Sequence, residues 1–234
     1  MTTNRLNCLI VLSSAKEESN CMSNSGNSSQ SFIQCYSLLN TTFNVQIATP
    51  SGRNAEFVKS DEQNRKWLNE FKHKSFSTPI SLSSVDPHRY SCLVIPHSPG
   101  AVIDLVTDSD LSYVLKHFVK EQKVICAIGM GVAALFPAYD DGNVWSFRRF
   151  TLTAISVFEL ARNPDFATLP IIPEDVIKDR GALYSSTNPD HVDEVHVVVD
   201  RHLITGQNEQ STLTAVQNLM IQCNQKQNKS LRER

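Results

Sequence analysis

The chain has 234 residues, a net charge of −2 and six cysteines that form no CxxC pair. That length suits one α/β domain with a substantial buried core. The near-neutral charge excludes a nucleic-acid surface built on bulk electrostatics, and the cysteine and histidine spacings show no zinc-type ligand set.

Arg5 followed by Leu6–Leu12 has the outline of a signal peptide, but Asn7 interrupts the apolar run and no small-residue cleavage site follows. Asn7–Leu12 is therefore predicted as the first strand. Ser13–Gln30, dense in Ser and Asn, is expected to be a flexible loop (13–30). Phe32, Tyr36, Leu39 and Phe43 then recur at helical spacing, and Asn44–Ala48 reads as a second strand closed by the turn Thr49-Pro50-Ser51-Gly52. Ser60–Lys74 is predicted as a helix capped by Ser60, with Trp67, Leu68 and Phe71 on one side and a basic end. Ser91–Pro96 is the next buried strand and runs into His97-Ser98-Pro99-Gly100. Ser109 is placed to cap a helix whose Leu111, Val114, Leu115, Phe118 and Val119 make an inward stripe.

The rest of the chain is organised around KVICAIGMGVAALF, Lys123–Phe136. Val124–Ile128 is a continuous apolar run, as expected of a central parallel strand buried on both faces. Gly129-Met130-Gly131 breaks it, and Val132–Phe136 is predicted to open a helix. Strand, sharp turn and helix are the setting of a nucleophile elbow, where a strained residue lifts a Ser or Cys above the sheet. Here the apical residue is Gly129, which has no side chain to lift.

Beyond the elbow, Trp145–Leu152 alternates, Ile155–Arg162 is predicted as a short helix, and Ile171–Tyr184, with Pro173 and its charges, as an edge strand. Val195–Val199 and His202–Thr205 flank Asp200-Arg201 as a predicted hairpin. Gly206-Gln207-Asn208 opens a last helix with Leu213, Val216, Leu219 and Met220 inward, and 225–234 is expected to be a disordered basic tail. Strands alternating with helices at this rhythm predict an α/β protein, a doubly wound and mostly parallel sheet with helices on both faces. No run approaches the roughly 20 apolar residues that span a bilayer. The six cysteines (Cys8, Cys21, Cys35, Cys92, Cys126, Cys223) read as reduced thiols of a soluble, cytoplasmic protein.

Three segments carry a resemblance. RYSCLVIPHSPGAVIDL (Arg89–Leu105) is similar to a strand and loop that usually ends IPGGxG in the PfpI-like, class-I glutamine-amidotransferase-like superfamily. ICAIGMGVAAL resembles the elbow of that superfamily, and HLITGQNEQST resembles its ITGQNPxS segment before the last helix. With ATPSG and AVQNL the likeness runs from Asn7 to Cys223 and implies one flavodoxin-like domain over 1–224. Catalytic relatives carry Cys at the apex, often followed by His, a Glu early in the first helix, and paired glycines that supply N–H groups to the site. The matching positions here are Gly129 and Met130, Gln30 and Ser31, and His97 and Ser98. The resemblance thus implies lost thiol chemistry. Within the superfamily, the joint pattern implies a non-catalytic, homotetrameric subunit of the FERRY complex, an early-endosomal Rab effector that associates with messenger RNA and ribosomes. Endosomal and messenger-RNA association would then come through partners, since phosphate neutralisation needs clustered Lys and Arg.

No cofactor and no metal is expected. Cys126, three residues before the apex, is the alternative nucleophile of a hydrolase or glyoxalase-like enzyme, although a thiol among Val, Ile and Ala reads first as inert core. His97 and Ser98, at the carboxyl end of a strand beside the elbow, form with Gly131 and its helix N–H groups a candidate pocket for a small carboxylate or phosphate. The acidic pairs Asp140-Asp141 and Glu174-Asp175 are expected on solvated surface, and His191, His196 and His202 are spaced for a hairpin rather than a metal cage.

Overall fold

Five consecutive apolar residues, Val124–Ile128, make an interior strand of the computed structural model, which describes residues 5–16, 26–58 and 60–232. Side chains alternate across a strand, so Ile125 and Ala127 enter one core while Val124, Cys126 and Ile128 enter another on the opposite face. A strand covered on both sides has no position left for a polar residue.

In chain order the elements begin with β1 (Asn7–Val11), β2 (Asn27–Ser28), α1 (Ser29–Leu39), β3 (Asn44–Thr49), β4 (Phe57–Val58) and α2 (Glu62–Lys72). β5 (Ile80–Ser81), β6 (Cys92–Ile95), α3 (Ser109–Lys120) and β7 (Val124–Ile128) follow. Then come β8 (Thr151–Leu152), α4 (Val157–Leu160), α5 (Pro173–Asp179), β9 (Leu183–Tyr184), β10 (Val197–Asp200), β11 (Leu203–Gly206) and α6 (Thr212–Arg232). The main sheet has the order β10-β11-β7-β6-β1-β3-β5, parallel throughout except for the β10–β11 hairpin. Helices α1, α2 and α6 cover one face, and α3 with the segments after the elbow covers the other. This is a single-domain, flavodoxin-like α/β fold.

Several expectations need correction. The helix caps are Asp61 and Asp108 instead of Ser60 and Ser109; each carboxylate accepts an N–H of the first turn, from Asn64 and Leu111 respectively. A charged acceptor also suits the positive end of the helix dipole. The predicted edge strand Ile171–Tyr184 is mostly α5, with Pro173 at its first turn, where a missing N–H costs nothing. Of Trp145–Leu152 only Thr151–Leu152 is strand; Phe136, Trp145, Phe147 and Phe150 instead stack edge to face in the core. The tail expected to be disordered continues α6 to Arg232. The expected loop 13–30 is ordered at both described ends, with Ser13 buried and 27–30 forming β2 and the start of α1. Its centre and Cys21 lie outside the described residues.

Candidate functional site

β6 and β7 run side by side in register, Ile95 opposite Ala127, so the residues that follow each strand emerge together. After β7 the chain turns at Gly129 with φ +56°, a left-handed conformation that L side chains adopt at a cost. The following residues form a 3₁₀ helix, Gly129–Leu135, rather than the α-helix expected.

After β6 comes His97, and its ring fills the space over the apex. A Cβ on Gly129 would lie 2.1 Å from His97 Nδ1. The same nitrogen accepts the Met130 backbone N–H at 3.2 Å, so the neutral ring carries its proton on Nε2. The His97 N–H donates to Ser31 Oγ at 3.0 Å, and its carbonyl accepts from the Ser28 N–H at 2.9 Å. Ser31 Oγ in turn shares a 2.9 Å hydrogen bond with Thr212 Oγ1, both residues buried. His97 is thus held by the ends of α1 and α6 and closes the point where a nucleophile would stand. Gly131 meets a different limit: a Cβ there would lie 2.2 Å from the Pro96 carbonyl oxygen.

Ser98 does not share a pocket with His97. It is fully buried, and its hydroxyl donates to Asn27 Oδ1 at 2.8 Å. Asn27 also accepts the Ser13 N–H at 2.9 Å and donates to the carbonyls of Ser13 and Glu56 at 3.0 and 3.1 Å. One buried amide therefore ties β1, β4 and the post-β6 loop together. Asn27→Ala, which removes all four of these side-chain bonds, is expected to cost about 2 kcal/mol in urea unfolding.

A cleft of about 530 Å³ opens beside the elbow, lined among others by Ser28, His97, Met130, Glu159, Arg162 and Glu209. Its chemistry is the reverse of the anion pocket expected at His97, Ser98 and Gly131. The Met130 N–H is already taken by His97, Arg162 is paired with Asp193 at 3.3 Å, and Glu159 and Glu209 add negative charge. The Glu209 carboxylate accepts the Ser28 hydroxyl, which joins α1 to the 3₁₀ turn before α6. Sequence reasoning missed Glu209. It stands in HLITGQNEQST where the superfamily segment has Pro, and that departure is the signal that would have found it.

Cys126 lies in the helix-side core with Cys8, Cys35, Cys92 and Cys223, and it does not line the cleft. All five thiols are free, and burial pushes the Cys126 thiol far above the usual range. Glu174, expected on solvated surface, is buried: it accepts the Val157 N–H at 2.9 Å and pairs with Lys178. Among the described residues no group of three or more His, Cys, Asp or Glu could hold a metal ion, and no helix is long and apolar enough to cross a membrane.

No model of a known protein family matches the chain. It is similar to human glutamine amidotransferase-like class 1 domain-containing protein 1, 47% identical over 220 residues, which cover 94% of this chain and 95% of the relative. The zebrafish (Danio rerio) protein of the same name is 46% identical, with 95% and 99% covered. Among solved structures, Rapid Encystment Protein 24 KDa of Francisella tularensis superposes with a TM-score of 0.80 at 23% identity, covering 93% of this chain and 99% of that one. Glyoxalase III from Candida albicans superposes at 0.76 and 15%, covering 92% and 96%. At such identities these two structures establish the fold alone.

Proposed function

The chain belongs to the glutamine amidotransferase-like class 1 domain-containing protein 1 family, and on that premise we propose that it is a non-catalytic interaction subunit of the FERRY complex. In this reading it is a homotetramer that docks to the other subunits of an early-endosomal Rab effector, and it reaches messenger RNA and the endosome through them. One observation carries the loss of chemistry: the His97 ring occupies the space in which an apical side chain on Gly129 would have to stand. An elbow that has lost its nucleophile and has also been filled keeps its structural role and offers no attacking atom. The buried thiol of Cys126 supplies no substitute, because a neutral thiol shut away from the cleft is a poor nucleophile.

The test uses the purified full chain and a tagged copy in cytosol. Light scattering is expected to give four times the 26.2 kDa of one chain. The tagged copy is expected to co-purify with the remaining subunits of the complex, and methylglyoxal is expected to show no turnover. Turnover that disappears in Cys126→Ser, with rapid selective labelling of Cys126 in the native state, would overturn the reading. So would a monomer that brings down no complex subunit.

A further inference from the structure

At the opposite end of the strands from the elbow, where β7 and β11 begin, the segment 140–150, the β10–β11 turn and α6 enclose an open groove of about 910 Å³. Its charged lining is one-sided: Arg148, Arg149, Arg201 and Lys226 face a single acid, Asp140. That acid is occupied, since Asp140 Oδ1 accepts the N–H groups of Gly142 and Val144 at 2.9 and 2.8 Å. Arg148 and Arg149 are exposed, and among the described residues neither side chain has a hydrogen bond or an ion pair. Arg201 is pre-set: it pairs with Asp200, donates to the Arg149 carbonyl and lies 3.4 Å from the centre of the Phe150 ring.

The second observation is at the floor. His202 lines the groove with only 7% of its surface exposed, and its Nε2 is buried without a hydrogen-bond partner. A buried polar atom is rarely left unmatched, so this nitrogen is open to a partner from the groove. Burial, Lys226 and Arg201 hold this imidazole neutral, so in the tautomer protonated at Nε2 it is a donor that brings no further charge.

We propose that this groove binds a phosphate ester of a small molecule, with Arg148 and Arg149 gripping the phosphate oxygens and His202 Nε2 donating from below. Guanidinium forks suit a tetrahedral dianion with several acceptor oxygens. The groove is far larger than a phosphate group, so the remaining volume takes the organic part. No chemistry on the ligand is implied.

Titration of the full-length chain with phenyl phosphate at physiological salt, followed by NMR of the His202 ring, tests this. Saturable shifts of the His202 signals are expected, with affinity about tenfold weaker in the double variant Arg148→Ala/Arg149→Ala. His202→Gln, which keeps a donor in place of the ring, is expected to retain binding by calorimetry, whereas His202→Leu is expected to weaken it. Inorganic phosphate is expected to bind less tightly than the ester, and equal affinity for the two would overturn the ester assignment. Absence of a saturable shift, or an affinity untouched in the double arginine variant, would overturn the site. A response present only at low salt and reproduced there by phenyl sulfate would mark plain charge screening and overturn it as well.

Discussion

Gly129→Ala is expected to destabilise the fold by about 3 kcal/mol, and in a His97→Ala background the same substitution is expected to cost only about 1–2 kcal/mol. A non-glycine residue at this left-handed position costs roughly 1–2 kcal/mol by backbone sterics alone. The new methyl would stand 2.1 Å from His97 Nδ1, so the ring must leave and the Met130 N–H loses its acceptor, a further cost of about 1–2 kcal/mol. The backbone part persists in the double variant, while the collision does not. Urea unfolding of the wild type, the two single variants and the double variant forms a cycle with an expected coupling of about 1–2 kcal/mol. Simple additivity would mean that the ring and the apex do not compete for the same space. The cycle also bears on function, because Gly129→Cys alone is expected to remain inactive and unstable.

Acidification is expected to weaken the protein between about pH 6.5 and pH 4, largely through His202. Its folded-state pKa is lowered to about 4, first by burial and then by Lys226 and Arg201. The unfolded chain has the ordinary value near 6.5 and therefore binds the proton first. The stabilisation is full above pH 6.5, is lost as pH falls through that interval, and changes no further below about 4. Its size is about 2–3 kcal/mol, allowing for partial screening. His117 and His196, also lowered by desolvation, add to the slope in the same direction. The test compares urea midpoints at both ends of the interval for wild type and His202→Leu. A slope unchanged in the variant would assign the acid sensitivity to other groups.

The buried strand Val124–Ile128, the hairpin around Asp200-Arg201 and the alternation of strands and helices were all legible in the sequence. Each rests on short-range pattern: an unbroken apolar run, two β-rich segments with a two-residue link, stripes at helical spacing. Pro173 was misread because the same residue marks a strand edge and a helix start, and only packing of Ile177 into the core decides between them. Ser98 and His97 are adjacent in sequence yet face opposite surroundings, as neighbouring residues in extended backbone do. The closure of the elbow is a contact between residues 32 positions apart, made adjacent by the register of β6 and β7. The loss of an apical side chain could be read from Gly129 itself. The ring that took its place could not, because no local pattern encodes a through-space fit.

The five described cysteines share one further property: each is at most 3% exposed, and all lie between the sheet and the α1–α6 layer. No reagent reaches any of them without parting that layer from the strands beneath. The reaction of these five with a thiol probe therefore times how often the layer lifts, so that their rate becomes a stopwatch for breathing of the interior rather than a measure of sulfur nucleophilicity.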